Sequence, residues 1–137
     1  GFGTVEIRVC DIPINLEKTL ALVALIQALV ITIQNVDEYP NTHIQILESN
    51  KWQAVRYGLE GAFIDPTTFK ELSISSAIEN LCNLIDPIMT SLGSKKYIRV
   101  IEEILTQGTG STKQRELYKS SGNFKYMIQS LKEQFYE

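Results

Sequence analysis

The chain has 137 residues, 44% of them hydrophobic, with a formal net charge of −3, two cysteines and one histidine. That apolar content suits a packed core and argues against disorder, and the weak acidity gives no electrostatic case for nucleic acid. Cys10 and Cys82 fit no zinc spacing and His43 cannot build a histidine-rich metal site, so both thiols are expected free, in a reducing compartment.

The first residues lack a basic region followed by an apolar stretch. Gly1-Phe2-Gly3-Thr4 instead reads as the start of a piece cut from a longer chain. From Thr4 to Cys10 the sequence alternates: Val5, Ile7 and Val9 on one side, Glu6, Arg8 and Cys10 on the other. This predicts a half-buried strand with a charged second face, ended by Asp11-Ile12-Pro13. Its sheet partners are not evident elsewhere in the chain, so they are expected outside it or in a second copy.

Asn15 is a good N-cap for a helix from about Leu16 to Gln34, with Glu17 in its first turn. Its apolar run from Leu20 to Ile33 falls short of the roughly 20 residues a bilayer span needs, so a buried core helix is expected. Residues 35–41, with Pro40, read as a loop. Thr42 is placed to cap a second helix, from about His43 to Tyr57, with Gly58 at its C-cap. A short hairpin is expected between Leu59–Ile64 and Phe69–Leu72, turning at Asp65-Pro66-Thr67-Thr68. A third helix starts at Ser73 or Ser75, carries Pro87 as a kink and ends at Gly93. Lys95–Thr106 forms a fourth, with Ile98, Ile101, Ile104 and Leu105 as its apolar stripe. After Gly108-Thr109-Gly110, Ser111 or Thr112 restarts a short helix to about Lys119, and Phe124–Tyr136 closes the chain as an amphipathic helix.

Three groups of residues can carry chemistry. Glu6 and Arg8 lie on one strand face, roughly 6.5–7 Å apart along the strand, with Asp11 close behind. Such a pair either holds a magnesium ion and phosphate oxygens or is an exposed ion pair. In the second helix Trp52 and Arg56 share a face. Arg56 reaches either an anionic ligand or a nearby acid, while Trp52 is expected to pack in the core. The third group runs from Gly108 to Arg115, where glycines before a helix either leave N–H groups open to an anion or simply end the preceding helix. No P-loop lysine spacing is present. Cys10 shares the face of Glu6 and Arg8, where a cysteine usually acts as a small apolar residue, and His43 is expected at the surface.

These groups fall within motifs that resemble one family. Gly3-Thr4-Val5-Glu6-Ile7-Arg8-Val9-Cys10-Asp11 followed by Pro13 is similar to the segment Gly-Thr-(Val/Leu)-Glu-(Val/Ile)-Arg-x-Cys-Asp-x-Pro of carboxylate–amine ligases of the glutamate–cysteine ligase type 2 family. Glu48-Ser49-Asn50-Lys51-Trp52-Gln53-Ala54-Val55-Arg56-Tyr57-Gly58-Leu59 resembles a second family motif, and Ile64-Asp65-Pro66 a third. Gly108-Thr109-Gly110-Ser111-Thr112-Lys113-Gln114-Arg115 resembles the family's Gly-Thr-Gly-Ala-x-x-Gln-Arg.

The resemblance implies an α+β, predominantly helical fragment. It would be the C-terminal portion of a glutamine-synthetase-like catalytic domain, one unit over 1–137, contributing one N-terminal strand, a short hairpin and about five helices. It implies an ATP- and Mg²⁺-dependent ligase that activates the γ-carboxylate of glutamate and joins it to an amine such as cysteine. Glu6 is then the metal ligand, Arg8 and Arg56 are catalytic, and Arg8, Asn50 and Arg56 bind the cofactor. The family's N-terminal acidic motifs are absent from these residues, so the chain alone is not expected to turn over. The remaining expectations are a cytoplasmic setting, an N-terminal part of the same protein as partner, a homo-oligomer, and no nucleic acid or membrane. The competing reading is a helical interaction or regulatory module without a site of its own.

Overall fold

The computed structural model describes every residue except 1, 2, 5, 12, 14, 35, 37–41 and 137. The expected loop at 35–41, Val36 apart, therefore lies outside the described residues. Among the described residues six α-helices and one hairpin follow in chain order: α1 (Leu16–Gln34), α2 (Ile44–Tyr57), β1 (Ala62–Ile64), β2 (Glu71–Ser73), α3 (Ile74–Ser91), α4 (Lys96–Gln107), α5 (Gly110–Ser121) and α6 (Phe124–Glu133). Short 3₁₀ turns follow α2 and α6. The α+β expectation holds, with six helices in place of about five.

The core sits where α1 crosses α3 and α4. Ala21, Ala24 and Ala28 fall on one face of α1 and are buried there against Cys82, Ile85 and Met89 of α3 and Val100 and Ile101 of α4. Small side chains on one helix let the other two approach closely, and Ile85 and Met89 fill the seam at 0% exposure. The expectation of a core helix is thus met on one face only. Leu16, Leu20, Val23 and Ile33 of α1 are exposed. The length argument is corrected too: α1 runs 19 residues and is long and apolar enough to cross a membrane by length and composition. α3 continues as one helix through Pro87.

β1 and β2 pair antiparallel, Ala62 with Ser73, Phe63 with Leu72 and Ile64 with Glu71. The hairpin expected from the Asp65-Pro66 turn is therefore present. The Asp65 carboxylate accepts the N–H groups of Thr67 and Thr68, both at 2.8 Å, which closes the turn. These bonds, Thr68's foremost, hold the Asp65 carboxyl below the ordinary carboxylate range. Phe69 completes the loop at φ 57°, a left-handed conformation rare for an aromatic residue.

Among the described residues of 4–10 there is no strand. The alternation is real, but a strand needs a hydrogen-bonded neighbour, and among the described residues the sheet is formed by β1 and β2. Ile7 and Val9 are exposed in this chain, Val9 at 82%, whereas the half-burial is expected against a neighbour outside it.

Candidate functional site

Glu6 and Arg8 face each other as their spacing suggested. Arg8 Nε lies 2.8 Å from Glu6 Oε1, and Arg8 Nη2 donates to Glu6 Oε2 at 3.0 Å. Both side chains are open to solvent, so the pair contributes little to stability. Cys10 is exposed. Among the described residues no group of three or more His, Cys, Asp or Glu is placed to hold a metal ion.

The other two groups come together. A cleft of about 730 Å³ is lined by Arg56 and Tyr57 at the end of α2, by Glu60 just beyond it, by Gly108, Thr109 and Ser111 at the α4–α5 junction, and by Arg115 and Glu116 in α5. Local sequence explains each wall. Gly58 takes φ 58° and its N–H bonds the Ala54 carbonyl, ending α2 just past Arg56. Gly108 takes φ 86° and caps α4 on the Ile104 carbonyl. A Cβ at Gly108 would lie 2.8 Å from Thr112 Cγ2, so only glycine lets the junction fold this tightly. Thr109, not Ser111 or Thr112, is the N-cap of α5, and its side chain makes no cap bond to the backbone. Instead its hydroxyl bonds Ser111 Oγ at 2.9 Å. Arg56 and Arg115 form no ion pair or hydrogen bond among the described residues.

The same junction borders a second, smaller cleft of about 370 Å³ from its other side, where Thr109, Gly110 and Ser111 meet Cys10, Asp11 and Pro13. The segment carrying Glu6 and Arg8 thus leads into the neighbourhood of the Gly108–Ser111 junction, although Glu6 and Arg8 line neither cleft.

Asn50 has a role that sequence reasoning missed. Its side-chain amide donates to the Ile64 carbonyl at 2.8 Å and accepts the Ile64 N–H at 2.7 Å. An amide side chain thereby acts as a strand neighbour for β1 and ties α2 to the hairpin. A cofactor contact of the expected kind could use only the second amide N–H or the second oxygen lone pair, since one of each is engaged by Ile64. No local signal points to this, because the partner is 14 residues away. Trp52 also departs from expectation. It is 55% exposed and stands edge-on to Tyr57, with ring centroids 5.5 Å apart. The reason is that α2 presents its polar Asn50 and Gln53 side inward and buries no residue. His43 is exposed as expected, but it replaces Thr42 at the N-cap position, without a side-chain cap bond. Cys82 is the buried thiol, its pKa raised by burial and then by Glu102 and Glu79, which disfavours the thiolate.

Comparison with known proteins fits this arrangement of motifs. The glutamate-cysteine ligase family 2 matches residues 1–134. A protein of Gloeobacter violaceus, provisionally named glutamate–cysteine ligase 2, is 37% identical over 95% of this chain and 36% of its own length. Similarly named proteins of Chloroflexus aggregans and Solibacter usitatus are 34% and 31% identical, over 95% and 93% of this chain and 34% of their own lengths. The chain thus spans about a third of the length of the curated relatives it matches. With a match that runs from the Glu6–Arg8 segment to α6, the chain belongs to the glutamate-cysteine ligase family 2.

Proposed function

We propose that the chain is the C-terminal portion of a cytoplasmic, ATP-dependent carboxylate–amine ligase with a glutamine-synthetase-like fold. Its reaction joins the γ-carboxylate of glutamate to an amine such as cysteine, through an acyl phosphate. The observation that carries this reading is the family match over residues 1–134. Arg56 and Arg115 share a cleft at the α4–α5 junction with Glu60 and Glu116, so its charged lining is balanced and the reading rests on the family match.

A carboxylate is a poor acyl donor because oxide would have to leave, and phosphorylation supplies a leaving group. Arg8 and Arg56 would hold phosphate oxygens and offset charge as the phosphoryl group moves. Glu6 would share in holding Mg²⁺, which, when bound, neutralises charge on the phosphates. The residues present fit a share of such a site. Magnesium is usually held by one or two carboxylates together with phosphates and water, and Glu6 is one open carboxylate. Its bond to Arg8 is no obstacle, since an exposed pair costs at most about 1 kcal/mol to open. The other acidic ligands would come from the rest of a family-length protein, and the assembly would be a homo-oligomer.

The test is Glu6→Ala and Arg8→Ala in a family-length protein. Both side chains are exposed here, so the fold should survive, and each change is expected to lower ATP-dependent amide formation at least about a hundredfold. One observation favours a second reading, a helical interaction module: Glu6 and Arg8 satisfy each other in the open. Ligase activity that persists in both variants would decide for that module.

A further inference from the structure

α2 buries none of its 14 residues, so little apolar packing fixes where it lies. Its neighbours among the described residues are chiefly β1 and the 3₁₀ turn Gly58–Glu60 that follows it. Two contacts, one at each end of β1, nevertheless hold it in place. At the far end the Asn50 amide bonds both backbone groups of Ile64. At the near end Gly61 comes against the backbone of Gln53, about one helical turn from Asn50. Gly61 has φ −76° and ψ 174°, a conformation open to any residue. Glycine is required there by closeness instead. A Cβ would lie 3.0 Å from the Gln53 carbonyl oxygen and 2.9 Å from Ile74 Cδ1. Neither neighbour yields cheaply. The Gln53 oxygen is helix backbone, and Ile74 is 5% exposed, its N–H donating to the Gly61 carbonyl at 3.1 Å. Gly61 is thus wedged between α2 and the first residue of α3.

Gln53 and Arg56 are three residues apart, roughly 4.5 Å along the helix axis, so they are neighbours on its surface. A displacement of α2 at Gln53 or Asn50 is therefore carried up the helix to the Arg56 guanidinium in the cleft. Neither Gly61 nor Asn50 lines that cleft. We propose that Gly61 and Asn50 are positioning residues: together they set the depth and rotation of α2 on the hairpin, and through it where Arg56 stands. The inference rests on the reading in which Arg56 holds phosphate oxygens of ATP.

The test is a pair of double-variant cycles in a family-length protein, read as the Kd for ATP with Mg²⁺ by titration calorimetry. Arg56→Ala should weaken binding about tenfold. Asn50→Ala should weaken it about three- to tenfold. So should Gly61→Ala, which leaves the Asn50 bonds in place but makes α2 give by a few tenths of an ångström. Combined with Arg56→Ala, neither change should weaken binding more than about twofold further, because both act through Arg56. Direct contact of Asn50 with ATP, or a general loss of structure, would instead add to the loss from Arg56→Ala. Circular dichroism melts confine the comparison to folded protein, and Gly61→Ala carries the test should Asn50→Ala fail to fold. An unmodified protein that binds no ATP, or an Arg56→Ala variant that binds it equally well, would remove the phosphate role of Arg56 and this inference with it. If Arg56→Ala is impaired, additive losses or unchanged binding in Gly61→Ala would overturn the positioning role alone.

Discussion

Asn50 shows how far a single residue can sit from its sequence reading. Within a motif shared with ligases it looks like a ligand contact, yet its amide is spent on both backbone groups of Ile64. Asn50→Ala would leave a partly buried N–H and carbonyl without partners, and is expected to cost about 1–3 kcal/mol in urea unfolding of this chain. Asn50→Asp should cost as much, because it keeps an acceptor for the Ile64 N–H but sets a carboxylate against the Ile64 carbonyl. A change below about 0.5 kcal/mol in both would show that α2 is held to the hairpin by other means. Gly108 is the opposite case, a role legible in the sequence as a helix-ending glycine. Its φ of 86° with ψ 172° is essentially a glycine conformation, and a Cβ would press on Thr112. Gly108→Ala should therefore destabilise by about 1–3 kcal/mol and disturb the α4–α5 junction that lines both clefts.

Among the elements, strong local signals mark the boundaries well. α1 runs over Leu16–Gln34, as Asn15 predicts, and Asn15 Oδ1 accepts the Lys18 N–H at 2.9 Å at its start. Ser73 and Asn123 cap α3 and α6 with their own side chains. What the sequence could not supply was which faces are covered. α1 is apolar nearly all round, but only its alanine face meets α3 and α4. Ala28→Leu, at a position with 0% exposure, should overpack that seam and destabilise by about 1–3 kcal/mol, while Leu20→Lys on the open face should leave the melting temperature of this chain nearly unchanged. Equal effects at both sites would mean that α1 is not packed as described. The described residues of 4–10 form no strand within this chain for a related reason, since alternation prepares a strand but only a neighbour makes one, and that neighbour is expected outside it. In the hairpin, the Asp65 carboxyl is lowered in the folded state by the Thr68 and Thr67 N–H groups. The folded form then binds its proton more weakly than the unfolded chain. The resulting stabilisation is complete above the ordinary aspartate range and is lost as pH falls through about 4 and below. Asp65→Asn keeps an oxygen acceptor and should remove this pH dependence, measurable as the acid-side change in the Thr67 and Thr68 amide shifts.

At the scale of the whole molecule, the separation of the candidate groups matters most. Glu6 and Arg8 lie on an open segment, Arg56 and Arg115 line a cleft they do not border, and the second cleft lies between the segment's end and the α4–α5 junction. The order of motifs defines the membership of these groups, but their distance apart is a property of packing that spacing along the chain does not encode. Phosphoryl transfer needs metal, phosphates and acceptor held together, with reacting atoms about 3–3.5 Å apart before the step. Among the described residues no three metal-binding side chains meet, so Glu6 alone would hold Mg²⁺ with the affinity of a single exposed carboxylate. ATP should then bind this chain weakly and without reacting. Incubated with ATP, Mg²⁺, glutamate and cysteine, the purified 137-residue chain is expected to release no phosphate above the uncatalysed background. Adding the other two-thirds of a family-length relative is expected to restore turnover, because it would bring further carboxylates to Glu6. Appreciable amide formation by the chain alone would mean that its clefts already hold a complete site, and that Glu6 is not a metal ligand awaiting partners.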